Sequence, residues 1–303
     1  MKNLFLTDTS IPEGYEYLLD VKLPSTALSY SIAGIIVIIM VMIALTILTR
    51  KKEKSSLVCI CGGISIFALF NYFLVMIVNM FVPTFNVVLY MVLSALIASV
   101  LPFIGRLLVI KLFARKYNGL KEHLGYGVGI MEMKAITSIF VLFVPIFNYI
   151  QIADLGVAYF FPKDLSEEIA LKQAESLVEM LKFDYSQCMF MMLISLGIMV
   201  YQLAVSLPIY AAYSGKKSKG WYAFALGTSF LVALCECLYN NDIFVIPSIL
   251  ITLVIAGVSV YFAVKLYKEI KPTEPVEEVK KESDDIGKNA HVKIPRFQNL
   301  DKL

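Results

Sequence analysis

The chain has 303 residues, 58% of them hydrophobic and 17% charged, with a mean hydropathy of +0.74. Soluble domains run about 45–50% apolar and about 25% charged, so this composition excludes an ordinary water-soluble domain. A formal net charge of +3 leaves no footprint for nucleic acid, and apolar runs longer than about 18 residues point to an all-α, polytopic membrane bundle.

Residues 1–25 are polar, with Asp8, Glu13, Glu16 and Asp20 against Lys2 and Lys22. A cleavable signal peptide would show a basic start, a short apolar run and a small-residue cleavage site, and this segment does not. It reads as an extracytoplasmic N-terminal segment. Seven spans are expected after it, read from the apolar runs: about Thr26 to Thr49, Leu57 to Val82, Val87 to Phe113, Leu124 to Ile152, Ser186 to Ala212, Trp221 to Tyr239 and Ile243 to Leu266. Together these make a transmembrane domain over 26–266.

Two stretches read as lying outside the membrane. Residues 164–183 open with Asp164 and Glu167 in a capping-box pattern. Ala170, Ala174, Leu177, Val178 and Leu181 then share one face, as expected of an amphipathic external helix resting on the bundle or the interface. The tail, 267–303, carries Pro272, Pro275, Pro295 and many charges with little apolar content beyond Lys271, so it is expected to be disordered. No internal repeat is visible.

Basic residues give the orientation. The loops 50–56, 114–123 and 213–220 hold ten Lys or Arg, whereas the opposite segments hold five over a longer stretch. By the positive-inside rule the N-terminus lies outside and the C-terminus in the cytoplasm, in a multi-pass protein of the cell membrane.

The stretch Val100 to Ile136 carries charge where lipid tails should be: Arg106 in the third span, Glu132 and Lys134 in the fourth. A charge at mid-bilayer costs about 2.5–3.5 kcal/mol even on the lenient insertion scale, so it faces protein or water and marks a functional site by default. Arg106, Glu132 and Lys134 are therefore the candidate binding residues, with a salt bridge or small polar network between them as the structural alternative. A buried Arg106–Glu132 pair is the specific expectation. Gly125, Gly127 and Gly129 open the fourth span and allow another backbone to approach closely.

Other chemistry is thinly supplied. Cys59/Cys61 and Cys235/Cys237 are two apart, and on a helix such residues point about 200° away from each other, so neither pair chelates. Both read as small core residues. Cys188 and Cys237 fall near the same outer surface, which leaves a disulfide open. The only histidines are His123, at a cytoplasmic helix end, and His291 in the tail. No metal site and no cofactor are expected.

The segment GLKEHLGYGVGIMEMKAI resembles the fourth-helix signature of the YhfC-like intramembrane peptidase family, Leu-Ala-Tyr-Gly-Ile-Gly-His-Gly-Gly-Ile-Glu-Ala-Ile. Leu124, Tyr126, Gly127, Gly129, Ala135 and Ile136 match at the same spacing, and Gly105 with Arg106 matches the end of a preceding Glu-Glu-x-Gly-Arg. The resemblance implies a bundle of the bacterial cell membrane with a loop on the outer side after the fourth helix. It also implies a catalytic set that this chain lacks. Pro102 and Phe103 stand where the glutamate pair should be, Ile130 replaces the histidine, and Lys134 the following glutamate. Leu193 and Gly227 occupy the nearest positions to the later histidines.

The expectation is an integral membrane protein with a peptidase-like core that does not cleave. It would act by binding a membrane segment, a lipid or a client membrane protein, with the lipid bilayer as its surroundings. An active endopeptidase with a rearranged site and a small-solute permease or channel are the alternatives. Water-accessible polar groups around Arg106 would separate a cavity from a sealed core.

Overall fold

In the computed structural model the described residues are 11–20, 25–82, 86–113, 119–162, 165–181 and 185–273. All their regular structure is helical, as it must be where no water is present to satisfy a free backbone. Ten α-helices follow in order: α1 (Ser25–Glu53), α2 (Leu57–Phe67), α3 (Val75–Asn79), α4 (Val87–Phe113), α5 (Leu120–Leu155), α6 (Glu167–Leu181), α7 (Tyr185–Ala204), α8 (Ser206–Tyr213), α9 (Gly220–Asn240) and α10 (Val245–Ile270). Seven stretches are long and apolar enough to cross a membrane, from Leu28–Lys51 to Val245–Thr273. The seven-span integral membrane bundle is therefore what the chain forms.

The centre of the bundle is α5, which packs against α1, α2, α7 and α8. Residues 122–131 of this helix are buried without interruption. Apolar side chains gain little by leaving lipid for one another, so close van der Waals packing has to hold membrane helices together. The glycines supply it. A Cβ on Gly129 would run into the backbone carbonyl of Ile60, and one on Gly63 into the carbonyl of Tyr126. Gly125, one turn earlier, faces Cys59 and Ser55, while Gly127 faces Ser206 on α8. The close approach expected of these glycines is thus present, on two sides of the helix.

Two spans are less regular than the apolar runs suggested. The span from Leu57 is broken by a π-helical turn at Ala68–Leu74, which separates α2 from α3. This wide turn brings the Phe70 ring onto Gly105 of α4, where a Cβ would stand 2.6 Å from the ring. The span expected over Ser186–Ala212 is two helices, α7 and α8, parted at Val205. Pro208 explains the break: it has no N–H to offer the Ala204 carbonyl four residues back, and its ring presses on that carbonyl.

One end of the bundle is basic and cross-tied. Lys271 reaches Glu53 at 2.5 Å, Tyr267 also donates to Glu53, and Lys217 meets Glu269 at 2.6 Å. At the other end α6 covers a separate apolar cluster, burying Ala170, Ala174 and Leu177 against Leu18, Val157 and Phe161. The amphipathic helix therefore caps that end of the bundle. Its start lies at Glu167, and the expected capping residue Asp164 falls outside the described residues. The tail from 274 lies outside them too, while α10 runs to Ile270, beyond the expected limit of 266.

All five cysteines are free. Cys188 is buried with its thiol 3.9 Å from the Ser31 hydroxyl, so the Cys188–Cys237 disulfide left open by the sequence does not form. Thiol titration in denaturant without reductant should count five thiols per chain; three would show that the disulfide exists.

Candidate functional site

Intramembrane charge is the scarce resource in this chain, and the structure distributes it differently from the sequence expectation. Arg106 and Glu132 do not pair. Glu132 accepts a hydrogen bond from the Thr46 hydroxyl of α1 at 2.9 Å and meets no cation among the described residues. Arg106 points to α7, where Nη1 donates to the backbone carbonyl of Gln202 at 3.4 Å and Nη2 donates to the Gln202 side-chain oxygen. The helical face explains the difference. Glu132 lies two turns beyond Gly125 and one beyond Gly129, whose face is already occupied by α2, so its side chain leaves the helix toward α1 rather than α4.

Lys134 lies two residues on from Glu132 and leaves α5 on the opposite side. Its ammonium meets Glu236 of α9 at 2.5 Å. The lysine side chain is 11% exposed and the glutamate side chain 37% exposed. Glu236 is thus the carboxylate that the candidate site contains, and it was not among the candidate residues Arg106, Glu132 and Lys134. Its signal was present in the sequence, a charge about one turn inside a helix end, but nothing local said that α9 would face Lys134.

Arg106 and the Lys134–Glu236 pair share the wall of one cavity of about 190 Å³ between α4, α7, α9 and the π-helical turn. Ser99, Gln202, Ser229 and Asn240 add polar groups to this wall, and Phe67, Phe103 and Val232 make it apolar elsewhere. Pro102 contributes as well. It removes the helical donor to the Ala98 carbonyl, and both residues line the cavity. A second cavity of about 220 Å³ adjoins the first and shares Asn71, Lys134, Ile198, Glu236 and Asn240 with it. The ion pair therefore stands between two cavities. Glu132 is on the wall of neither.

Tyr201 fixes α7 against α9 beside this site. Its hydroxyl donates to the Ala225 carbonyl at 3.2 Å and lies 2.7 Å from the Ser229 hydroxyl. Just before the break at Val205, the Gln202 carbonyl accepts from both Arg106 and the Ser206 hydroxyl. A small cavity of about 20 Å³, room for one water, lies on the other side of Arg106. It is bordered by His123, Tyr126 and Ser206.

His123 was expected at a helix end. α5 starts at Leu120, so the histidine does lie in the first turn of the helix, where it is 2% exposed. Its Nδ1 donates to the Gly119 carbonyl at 3.0 Å, and its ring lies 4.4 Å from that of Tyr210. Among the described residues no three His, Cys, Asp or Glu side chains gather where they could share a metal ion.

No protein-family model matches the chain, and neither curated proteins nor solved structures give a significant match. The likeness to the YhfC-like family thus rests on the motif residues around Gly105–Arg106 and Leu124–Ile136 alone.

Proposed function

We propose that this integral membrane protein is a non-catalytic relative of peptidase-like bundles and holds a lipid or lipid-like ligand inside the membrane. The observation that carries this reading is the cavity of about 190 Å³ with Arg106 at one place on its wall and the Lys134–Glu236 pair at another. Small-molecule sites are concave, mostly apolar and furnished with a few placed polar groups, which is the make-up here. The dimensions suit an acyl-chain segment or a small amphiphile. A whole membrane segment or a client's helix is about 10 Å across and does not fit within it.

Catalysis fits the side chains poorly. Peptide hydrolysis needs one group to activate water and another to protonate the leaving amine, both within hydrogen-bond reach of the bond. The carboxylates here are dispersed: Glu132 on Thr46, Glu236 on Lys134, Glu122 beside Lys121. The positions aligned with the family's own groups hold Pro102, Phe103, Ile130 and Lys134. Purified protein incubated with membrane-anchored test peptides should leave them intact. Cleavage that disappears in Glu236→Gln or Glu132→Gln would replace this reading with the endopeptidase one.

The proposed orientation keeps the N-terminus outside and the tail in the cytoplasm of the cell. A reporter active only in the cytoplasm should give signal when fused after Leu303 and none when inserted at Lys172. The reverse pattern would invert the topology. A permease for a small anion is the second reading, favoured by the small separate cavity that Arg106 also borders, together with His123. Anion efflux from proteoliposomes that stops in Arg106→Gln would favour it over static binding.

A further inference from the structure

The charges on the cavity wall do not balance, and the imbalance names the ligand class. Three ionisable side chains of fixed charge line the cavity of about 190 Å³: Arg106, Lys134 and Glu236. Lys134 and Glu236 neutralise each other at 2.5 Å. Arg106 is left with one positive charge, only 9% exposed, and no carboxylate beside it among the described residues. A buried charge of this kind is costly unless something compensates it.

Hydrogen bonding gives the same answer by a separate count. A guanidinium has five N–H donors. The two bonds that Arg106 makes both go to Gln202, an uncharged residue, so three of its donors have no protein acceptor among the described residues. An oxyanion meets both needs at once, since the planar fork of arginine pairs in bidentate fashion with carboxylate or phosphate oxygens. The remaining wall, with Phe67, Phe103, Ile198 and Val232, would cover an apolar body.

We infer that the cavity takes an amphiphile with a singly charged oxyanion head, carboxylate or phosphodiester, seated on Arg106 with its apolar part against Phe103 and Val232. This deepens the binding reading above and depends on it. The Lys134–Glu236 pair sets the other limit of the site. Its carboxylate would repel a second negative charge, so a ligand with one anionic head is preferred over a dianion with charge at both ends.

Thermal unfolding of the full chain in a neutral detergent tests this. Four probes are used: decanoate against decanol, which differ in the charged head but not in the apolar body, and phosphatidylglycerol against phosphatidylcholine. At about a hundredfold excess over Kd, the bound anion should raise the unfolding midpoint by about 5–10 °C, and Arg106→Gln should weaken that response at least about tenfold. A response to decanoate alone identifies a free amphiphile, and a response to phosphatidylglycerol alone a bilayer lipid; either supports the proposal. If Arg106→Gln fails to fold, Arg106→Lys decides: losing the fork should weaken decanoate binding at least about fivefold, and unchanged affinity overturns the proposal. Equal stabilisation by decanol and decanoate, insensitive to Arg106, overturns the anion inference but leaves cavity binding standing, provided that the cavity-filling Ala233→Trp abolishes it. No response to any probe overturns both.

Discussion

A Gly129→Val chain is expected to give no more than about a tenth of the wild-type folded yield, the population change that ~1.4 kcal/mol produces. The reason is what the new Cβ would meet. It would stand against the Ile60 backbone carbonyl, and α2 has no side chain there to move aside. The two helices would have to part, and the matching seat of Gly63 on the Tyr126 carbonyl would open with them. Gly127→Val should be milder, because its obstacle is the Ser206 side chain. Gly227→Ala and Gly257→Ala are the controls. Nothing lies within 4 Å of a Cβ at either position, so each should be neutral or gain a few tenths to about 1 kcal/mol from helix propensity. Fluorescence-detected size exclusion of tagged chains ranks the four, and a Gly129→Val peak equal to wild type would show that the α2–α5 crossing is not as close as described.

The second large effect is asymmetric. Glu236→Leu strands the Lys134 ammonium at 11% exposure, whereas Lys134→Met leaves a carboxylate that is already 37% exposed. Breaking a buried pair costs about 3–5 kcal/mol, mostly through the charge left behind. Glu236→Leu should therefore approach the lower part of that range, and Lys134→Met should cost distinctly less. The double change to Met and Leu should recover most of the loss, since the uncompensated charge is gone. Arg106→Leu and Glu132→Leu, by contrast, should simply add, because the two residues bond to Gln202 and Thr46 on different helices. Coupling between Arg106 and Glu132, or additivity between Lys134 and Glu236, would contradict the contacts described above.

These two cases also show what was legible in the sequence. The seven spans, the charged residues within them and the glycine approach on α5 follow from hydropathy, residue type and helical spacing, all of which are local. Which helix would stand opposite each charge is not local. Lys134 and Glu236 are 102 positions apart, and Thr46 and Glu132 are 86 apart. Helical spacing gave the direction in which Glu132 leaves α5, but the identity of the helix there depended on the glycine contact with α2. The break at Val205 had a visible cause in Pro208, obscured by an apolar run that continues unbroken through it. The π-helical turn had no comparable sign, and it shapes one wall of the cavity through Asn71. The helix end at His123 was legible, but the burial of its ring against Tyr210 of α8 was not, because that contact is not local.

The charges around Arg106 border an accessible cavity and not a sealed polar core. Cysteine reactivity compares the two directly, using alanines of one helix in a full chain whose native cysteines are replaced by serine. Ala233 lies on the cavity wall, whereas Ala225 is fully buried in the packing of α9 and borders none of the three cavities described. A small, water-soluble methanethiosulfonate reagent should modify Ala233→Cys and leave Ala225→Cys untouched, with decanoate slowing the first reaction. Equal protection of both cysteines would make the Arg106 region a closed structural network instead.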